Sequence, residues 1–526
     1  MAARQQTTCD TQVMHREPLV RRLLSPEAYP HPVDRVRLVE THISWVFLTG
    51  SVVYKVKKPV NLGFLDFSTL EKRRHFCHEE VRLNRRFAPE LYQAAVPITG
   101  PQVNAEIAGQ GTAIEWAVRL TQFDESARLD QLLEAGTLSC DDTDRLARDI
   151  AAVQDHLEVA HQNTSWGTRE TVAQTIGMNL DQLRIHRSAH RSRVEALQEW
   201  VTQAISARSE VFAQRRHEGR VRQCHGDLHL ANLVAHAGRF LAFDSIEFSD
   251  VLRWIDVASD IAFLAMDLTS RNRHNLAAVV TSSWIEASGD HSATGVLPIY
   301  LVYRAIVRSA IAAIRGSQPE ADVAAAHAES DRYLALAEQL AAPRKPTLFA
   351  TCGVSGCGKT TLARELVAST GAIQLRSDVE RKRAFGLTAT DRSASAESRA
   401  TLYSRAATQQ TYERLATLAE GMLADGATVV IDAACTRRWQ RELITHVAAK
   451  ARTPLTWLAP QVPEQQLYDR VTARLASGHD ASDASANIVR EQLATFEPIT
   501  ADELAMHPGT RMVHRVADCV ESAATT

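Results

Sequence analysis

The stretch Gly353-Val354-Ser355-Gly356-Cys357-Gly358-Lys359-Thr360 has the spacing G-x-x-x-x-G-K-T, and it restricts what the chain around it can be. Thr347 to Ala350 ahead of it reads as a short buried strand. Thr361 to Ala368 behind it reads as a helix with Leu362, Leu366 and Val367 facing a core. Strand, glycine turn and helix N-terminus together aim backbone N–H groups at one point, where a phosphate chain can sit. The three glycines allow close approach without a Cβ. Residues 353–361, Thr361 included, are therefore expected to bind nucleotide, with Lys359 on the β and γ phosphates and the Thr360 hydroxyl on Mg²⁺.

At 526 residues the chain is too long for one core, and two to four domains are expected. A net charge of -3 gives no global field favouring nucleic acid or an anionic membrane. The eight cysteines are scattered without a C-x-x-C pair, which points to a reducing compartment rather than a zinc site or disulfide framework. Met1 to Asp10 is polar and has no apolar signal core. The longest apolar stretch, Val296 to Ile314, carries Arg304 and Arg308 and reads as a buried helix. The expected location is cytoplasmic, without a membrane partner.

Upstream, Val36 to Val39, Trp45 to Leu48 and Val52 to Lys57 read as antiparallel strands. Period-two alternation puts Val53, Lys55 and Lys57 on one face, where a lysine among valines calls for an anionic partner. Thr69 to Phe87 reads as a helix carrying Glu79 and Glu80, and Ala113 to Leu120 as another strand. The chain then turns largely helical from Leu129 to about residue 215. Within His225-Gly226-Asp227-Leu228-His229-Leu230-Ala231-Asn232, Asp227 and Asn232 lie five residues apart on a tight loop. Phe240 to Asp244 reads as a strand ending in a carboxylate. A carboxylate, an amide oxygen and a second carboxylate so spaced suit Mg²⁺-assisted phosphoryl transfer, with Asp227 on the acceptor hydroxyl and Asn232 and Asp244 on the metal.

This stretch resembles the aminoglycoside phosphotransferase family, kinase-like enzymes with a catalytic loop H-G-D-x-x-x-x-N. The resemblance covers roughly Val36 to Leu268. It implies Asp227 as catalytic base, and Asn232 and Asp244 as metal ligands. It implies Lys55 as the nucleotide-binding lysine of the third strand, with Lys57 as the alternative on the same face. Glu80 would be its helix partner, with Glu79 as the alternative, and either Asp256 or Asp260 would stabilise the catalytic loop. One departure is plain: Glu40-Thr41-His42-Ile43-Ser44, where a kinase carries its phosphate flap, contains no glycine.

Pro343 to Pro346 reads as a linker. Beyond the phosphate loop, strands are expected at Ala372 to Asp378, Thr428 to Asp432, Leu455 to Leu458 and Met512-Val513, with Asp432 placed for hydrated Mg²⁺. Leu467 to Leu475 reads as a helix whose Arg470 and Arg474 share a face. This segment is similar to the small P-loop kinases related to polynucleotide kinase, zeta-type toxins and gluconate-type kinases. The similarity implies Asp378 orienting the acceptor hydroxyl, Arg381 binding substrate, and Arg470 and Arg474 neutralising the transferring phosphate. The domain order resembles bacterial fusions of an aminoglycoside phosphotransferase-type domain with a P-loop ATP-binding domain.

The expected fold is an α+β kinase-like bilobal domain over 1–342, with an N-lobe at about 18–120 and a helical C-lobe at about 121–342. A linker at 343–346 then leads to an α/β P-loop NTPase domain with a parallel sheet over 347–526. The expected activity is ATP- and Mg²⁺-dependent phosphate transfer to hydroxyls of small-molecule acceptors at two sites. Two rival readings differ in class. One domain would bind nucleotide only to regulate the other, or the P-loop domain would phosphorylate nucleic-acid 5′-hydroxyls. The acidic balance and the lack of an aromatic-basic stripe speak against a nucleic-acid partner.

Overall fold

The computed structural model describes residues 17–61, 63, 65–318, 321–389, 391, 401–477 and 485–520. The chain divides into two compact units: 17–138 with His156–Trp166 and Gly219–Asp260, and Ser139–Asp155 with Gly167–Glu218 and 261–520. The division does not fall at 343–346. The larger part of the helical stretch that precedes the phosphate loop shares a unit with it.

The first unit is built on a six-stranded antiparallel sheet in the order β1-β2-β3-β6-β4-β5. These strands are β1 (Arg37–Glu40), β2 (Ser44–Leu48), β3 (Val52–Lys57), β4 (Tyr92–Thr99), β5 (Glu106–Ile107) and β6 (Ala113–Thr121). The alternation read from the sequence sorts β3. Val52, Tyr54 and Val56 join a core with Phe47, Ile98 and Ala117, while Val53 joins a second core with Cys77, Val81 and Val118. That second core is closed by helix α1 (Leu70–Asn84), whose N-terminus is capped by the Thr69 side chain accepting from the Lys72 N–H at 3.3 Å. Below the sheet, β7 (Val221–Gln223) pairs with β10 (Trp254–Asp256), and β8 (Leu233–His236) with β9 (Arg239–Ala242). The return strand stops at Ala242, so Asp244 lies beyond it, in the left-handed region at φ 63.

The second unit centres on a five-stranded sheet in the order β12-β13-β11-β14-β15, with every pairing parallel. These are β11 (Leu348–Thr351), β12 (Ile373–Arg376), β13 (Val429–Asp432), β14 (Leu455–Leu458) and β15 (Arg511–Val513). β11 to β14 are buried throughout, as unbroken apolar strands of a sheet covered on both faces should be. β12 is an edge strand, yet it is covered by helix α3 (His274–Ser288), which packs beside α2 (Cys140–Asp155). The Ser282 hydroxyl of α3 accepts from the Gln374 N–H at 3.0 Å, satisfying an edge donor that would otherwise be left open. Ala278 and Val279 of α3 pack on the core formed by Phe349, Leu366, Val430 and Leu458. The apolar stretch foreseen at 296–314 is α4 (Leu297–Gly316), which packs on α5 (Val323–Ala341). It is long and apolar enough to cross a membrane, but its most apolar stretch is mostly buried (67%). Arg304 is buried in it, with its guanidinium over Phe263 at 4.8 Å.

Candidate active sites

In the first unit the strand β3 lysines and helix α1 meet as a buried ion network. Lys55 Nζ donates to Glu80 Oε1 at 2.9 Å and also pairs with Asp244. Lys57 Nζ donates to Glu80 Oε2 at 2.6 Å, pairs with Glu247, and lies over the Phe67 ring at 4.8 Å. Glu80 thus bridges two lysines, one oxygen each. Glu79 points away and pairs with Arg82 at 2.8 Å across one helical turn, so α1 presents Glu80 to the sheet. The two lysines differ in outlook. Lys57 is wholly buried, whereas the Asp244 that Lys55 meets is 46% exposed. Lys55 therefore stands at the open side of the network and Lys57 behind it.

The electrostatics follow from that packing. Burial works against both ammonium groups, but the carboxylates around them outweigh it and hold both pKa values above the ordinary lysine value. Burial also opposes the Glu80 carboxylate, yet Lys55 and Lys57 together bring its pKa down to about 2. Glu247 moves the other way: burial pushes it up, against the pull of Lys57. Glu80 is the firmly ionised member, because both lysines bond it directly.

The catalytic-type loop is held from below. Asp260 accepts from the His225 N–H at 2.8 Å and the Gly226 N–H at 2.9 Å, one oxygen each. Asp256, the last residue of β10, accepts from the Ala258 N–H at 2.9 Å at the start of the helix that follows. Of the two aspartates that the sequence leaves open, Asp260 is the one that grips the loop. Gly226 sits at φ 86, where a Cβ would stand 2.7 Å from the Leu252 carbonyl oxygen. The loop's shape thus requires glycine. His225 is buried against Phe87. Its Nε2 donates to the Phe243 carbonyl at 2.9 Å, and its Nδ1 accepts from the Asp227 N–H at 3.3 Å. Both bonds fit the neutral ring, and burial lowers its pKa further from protonation. The Asn232 amide donates to Asp227 Oδ2 at 3.0 Å and to the Asp227 carbonyl at 3.0 Å. Asp227 is thereby oriented by Asn232, and His229 Nε2 lies 3.4 Å from the same carboxylate oxygen. Asp244 is fixed through its N–H, which donates to the Tyr92 hydroxyl at 2.9 Å, and the next N–H, of Ser245, donates to Asn84 at 2.8 Å. The flap position is a tight hairpin turn closed by the Thr41 N–H donating to the Ser44 carbonyl at 2.9 Å.

In the second unit Gly353, Gly356 and Gly358 take positive φ, and helix α6 (Lys359–Thr370) starts directly from Gly358. Lys359 Nζ donates to the Val354 carbonyl at 2.8 Å, folded back on the loop. The Asp432 carboxylate accepts from Gln374 Nε2 at 2.9 Å, and the nearby Thr360 hydroxyl favours its ionised form. Burial raises the pKa of Asp432, with Arg376 the chief opposing charge and Asp378 close enough to add to the rise. Asp378 was expected to end a strand. The strand stops at Arg376, and Asp378 instead occupies the first turn of α7 (Ser377–Ala384), where the helix dipole favours an acidic residue. Arg381 turns away from solvent: its guanidinium donates to the Leu402 carbonyl at 3.2 Å and lies over the Tyr403 ring at 4.9 Å. Arg470, on helix α8 (Glu464–Ser477), donates to the Gly356 carbonyl at 3.4 Å, over the phosphate loop. The side chain of Arg474, and the tract 478–484 after it, lie outside the described residues. A cavity of about 630 Å³ opens beside the loop between Gly358, Thr361 and Leu362 on one side and Pro460, Arg470, His514 and Arg515 on the other.

Three residues of these sites escaped the sequence reading. Glu247 lies three residues past Asp244 but 190 from its partner Lys57, so no local pattern connects them. Arg376 and Gln374 sit on β12 and reach Asp432 on β13 only through the parallel pairing of the two strands. The sole local signal was a charged residue inside an otherwise apolar strand.

Residues 66–293 match the phosphotransferase enzyme family, and residues 348–499 match an AAA domain family. An uncharacterized protein of Mycobacterium tuberculosis is 28% identical over 458 residues, covering 86% of this chain and 89% of that protein. Among solved structures, a choline kinase from Cryptosporidium parvum is 11% identical, with 58% of this chain and 89% of that one covered at a TM-score of 0.36. A gluconokinase from Sinorhizobium meliloti is 21% identical, with 34% and 90% covered at a TM-score of 0.22. With the sheets and loops described above, the first part of the chain has a kinase-like fold similar to the phosphotransferase enzyme family, and the second part has a parallel-sheet fold of the P-loop NTPase type.

Proposed function

We propose that both sites transfer the γ-phosphate of ATP to hydroxyl groups of small-molecule acceptors. The observation that carries the reading is the first site's assembled charge set. Lys55 is ion-paired to Glu80 and set against Asp244, and Asp227 is oriented by Asn232 on a loop that Asp260 holds. Lys55 would bind the nucleotide phosphates, and Asp227 would accept the proton of the attacking hydroxyl. Asn232 and Asp244 offer hard oxygen ligands of the kind Mg²⁺ takes. Nucleotide oxygens would complete the ion's shell, since Mg²⁺ takes near-octahedral oxygen coordination. In the second site the Thr360 hydroxyl and Asp432 carboxylate, already side by side, suit the same ion. When bound, Mg²⁺ would neutralise charge on the transferring phosphate. There the cavity beside Gly358 would take base and ribose, Arg470 would face the phosphates, and Asp378 would orient the acceptor.

A regulatory role for the first site is favoured by one observation, the tight glycine-free turn at Thr41 to Ser44. Labelled-ATP transfer into a metabolite extract separates the readings. Product lost only in Asp227→Ala assigns an acceptor to the first site, and product lost only in Lys359→Ala assigns one to the second. If wild type releases nothing but inorganic phosphate, the two-transferase reading fails. A 5′-hydroxyl oligonucleotide in the same assay should stay unlabelled.

A further inference from the structure

We infer that His514 makes the cavity beside the phosphate loop selective for adenine over guanine nucleotides. The inference rests on the reading of that cavity as the place for base and ribose. The sheet sets its position. β11, β14 and β15 run parallel, and their last residues are in register, Thr351 beside Leu458 and Leu458 beside Val513. The phosphate loop, Pro460 and His514 therefore leave the sheet at one carboxyl edge, where open parallel sheets bind ligands. The Ala459 N–H, donating to the Val513 carbonyl at 2.9 Å, carries the pairing one residue further. Leu362 and Pro460 give the cavity apolar surface, and its volume of about 630 Å³ has room for a purine and its sugar.

One ring sets the polarity of the wall. His514 Nδ1 lies 2.6 Å from the Ala459 carbonyl oxygen. A carbonyl oxygen only accepts, so Nδ1 carries the proton, and in the neutral ring Nε2 keeps a bare lone pair. The ring is exposed and lines the cavity, with Nδ1 turned to the chain and Nε2 on its other edge. The neighbouring polar side chains are not fixed as acceptors. Gln461 can present either end of its amide, and Thr361 can turn its hydroxyl. Arg470 and Arg515 only donate, and each is drawn to an acceptor of its own, the Gly356 carbonyl at 3.4 Å and Asp518 at 3.1 Å. Adenine carries an amino donor where guanine carries a carbonyl acceptor. Nε2 accepts from the adenine amino group and meets the guanine oxygen lone pair against lone pair. His514 thus reads the base and takes no part in the transfer itself.

The test uses the full chain with Lys55→Ala, to silence the first site, at about pH 8, where free imidazole is neutral. Calorimetry measures non-hydrolysable analogues of ATP, of GTP and of the purine nucleotide that lacks the 6-amino group. The ATP analogue should bind about tenfold tighter than either of the others, the upper worth of one neutral hydrogen bond. His514→Phe keeps a flat ring without the lone pair and should bring all three within about twofold, by weakening ATP. His514→Gln, whose amide turns either way, should instead narrow the gap by strengthening GTP. Both variants exchange an exposed side chain, which leaves the fold in place. The inference is overturned if the three analogues bind alike before His514 is changed, if GTP binds tighter, or if the preference survives His514→Phe. If Lys359→Ala in the same background leaves analogue binding unchanged, the nucleotide reading of the loop fails, and the role given to His514 falls with it.

Discussion

Replacing Lys57 by Met tests the buried network behind the first site. Met matches the aliphatic stem and removes the charge, so packing changes little. Glu80 keeps Lys55 as a partner, but Glu247, buried and paired with Lys57, is left as an uncompensated carboxylate. Breaking such a pair from one side costs about 3–5 kcal/mol, whereas replacing both charges by neutral groups is often close to neutral. Lys57→Met should therefore destabilise by about 3–5 kcal/mol, and Lys57→Met/Glu247→Gln should recover most of that. Because a chain with two compact units need not unfold in one step, the assay is hydrogen exchange on peptides spanning β3 and α1. Their protection should fall by roughly two to three and a half orders of magnitude in the single variant. The pH dependence has a definite sign. Burial already raises the Glu247 pKa in the native protein, and losing Lys57 raises it further. A carboxyl with a raised folded pKa is best tolerated below its unfolded pKa and destabilises as pH rises through the folded one. Acidification should therefore relieve the Lys57→Met defect. A loss under about 1 kcal/mol, well short of the one-sided cost, or a double variant no better than the single, would refute the reasoning.

Asp260→Asn leaves one of the two buried N–H donors, of His225 or Gly226, facing an amide NH₂; it should cost about 1–3 kcal/mol and lower kcat at the first site more than nucleotide affinity, measured by steady-state kinetics once an acceptor is in hand. Glu80 behaves oppositely to Glu247. Its pKa of about 2 means its stabilisation is complete above the ordinary carboxylate value and is lost as pH falls towards 2, which exchange in β3 and α1 should record in wild type. In the second site the Gln492 side-chain oxygen accepts from the Ser355 N–H of the phosphate loop at 2.7 Å. A phosphate needs such donors, so Gln492→Ala should tighten nucleotide binding by about 2- to 10-fold, the worth of one neutral hydrogen bond; weaker binding by calorimetry would contradict this.

What the sequence made legible was local. The glycine spacing of 353–360 dictates a turn whatever surrounds it, and the structure has all three glycines at positive φ. The alternation in β3 put Lys55 and Lys57 on one face, but for that same reason could not separate them. Only Glu247, brought in from the loop after Asp244, shows that Lys57 is the buried member. The choice between Glu79 and Glu80 turned on a single residue's rotation about α1, below what the polar pattern of that helix resolves. Asp256 and Asp260 both flank a strand-to-helix turn, and the loop's backbone N–H groups, not the aspartates' own neighbours, decide between them. The Asp378 strand end was misread because Ser377 and Asp378 serve a helix start as well as a strand end. The covering of β12 by α3 was invisible, since nothing in His274 to Ser288 signals a sheet edge a hundred residues later.

The central claim is that one chain holds two separate nucleotide sites. Calorimetric titration of the full chain with a non-hydrolysable ATP analogue and Mg²⁺ measures it most directly. Two sites should appear in wild type, with one surviving in Lys55→Ala and the other in Lys359→Ala. A single site in wild type, or loss of all binding in either variant alone, would contradict the account.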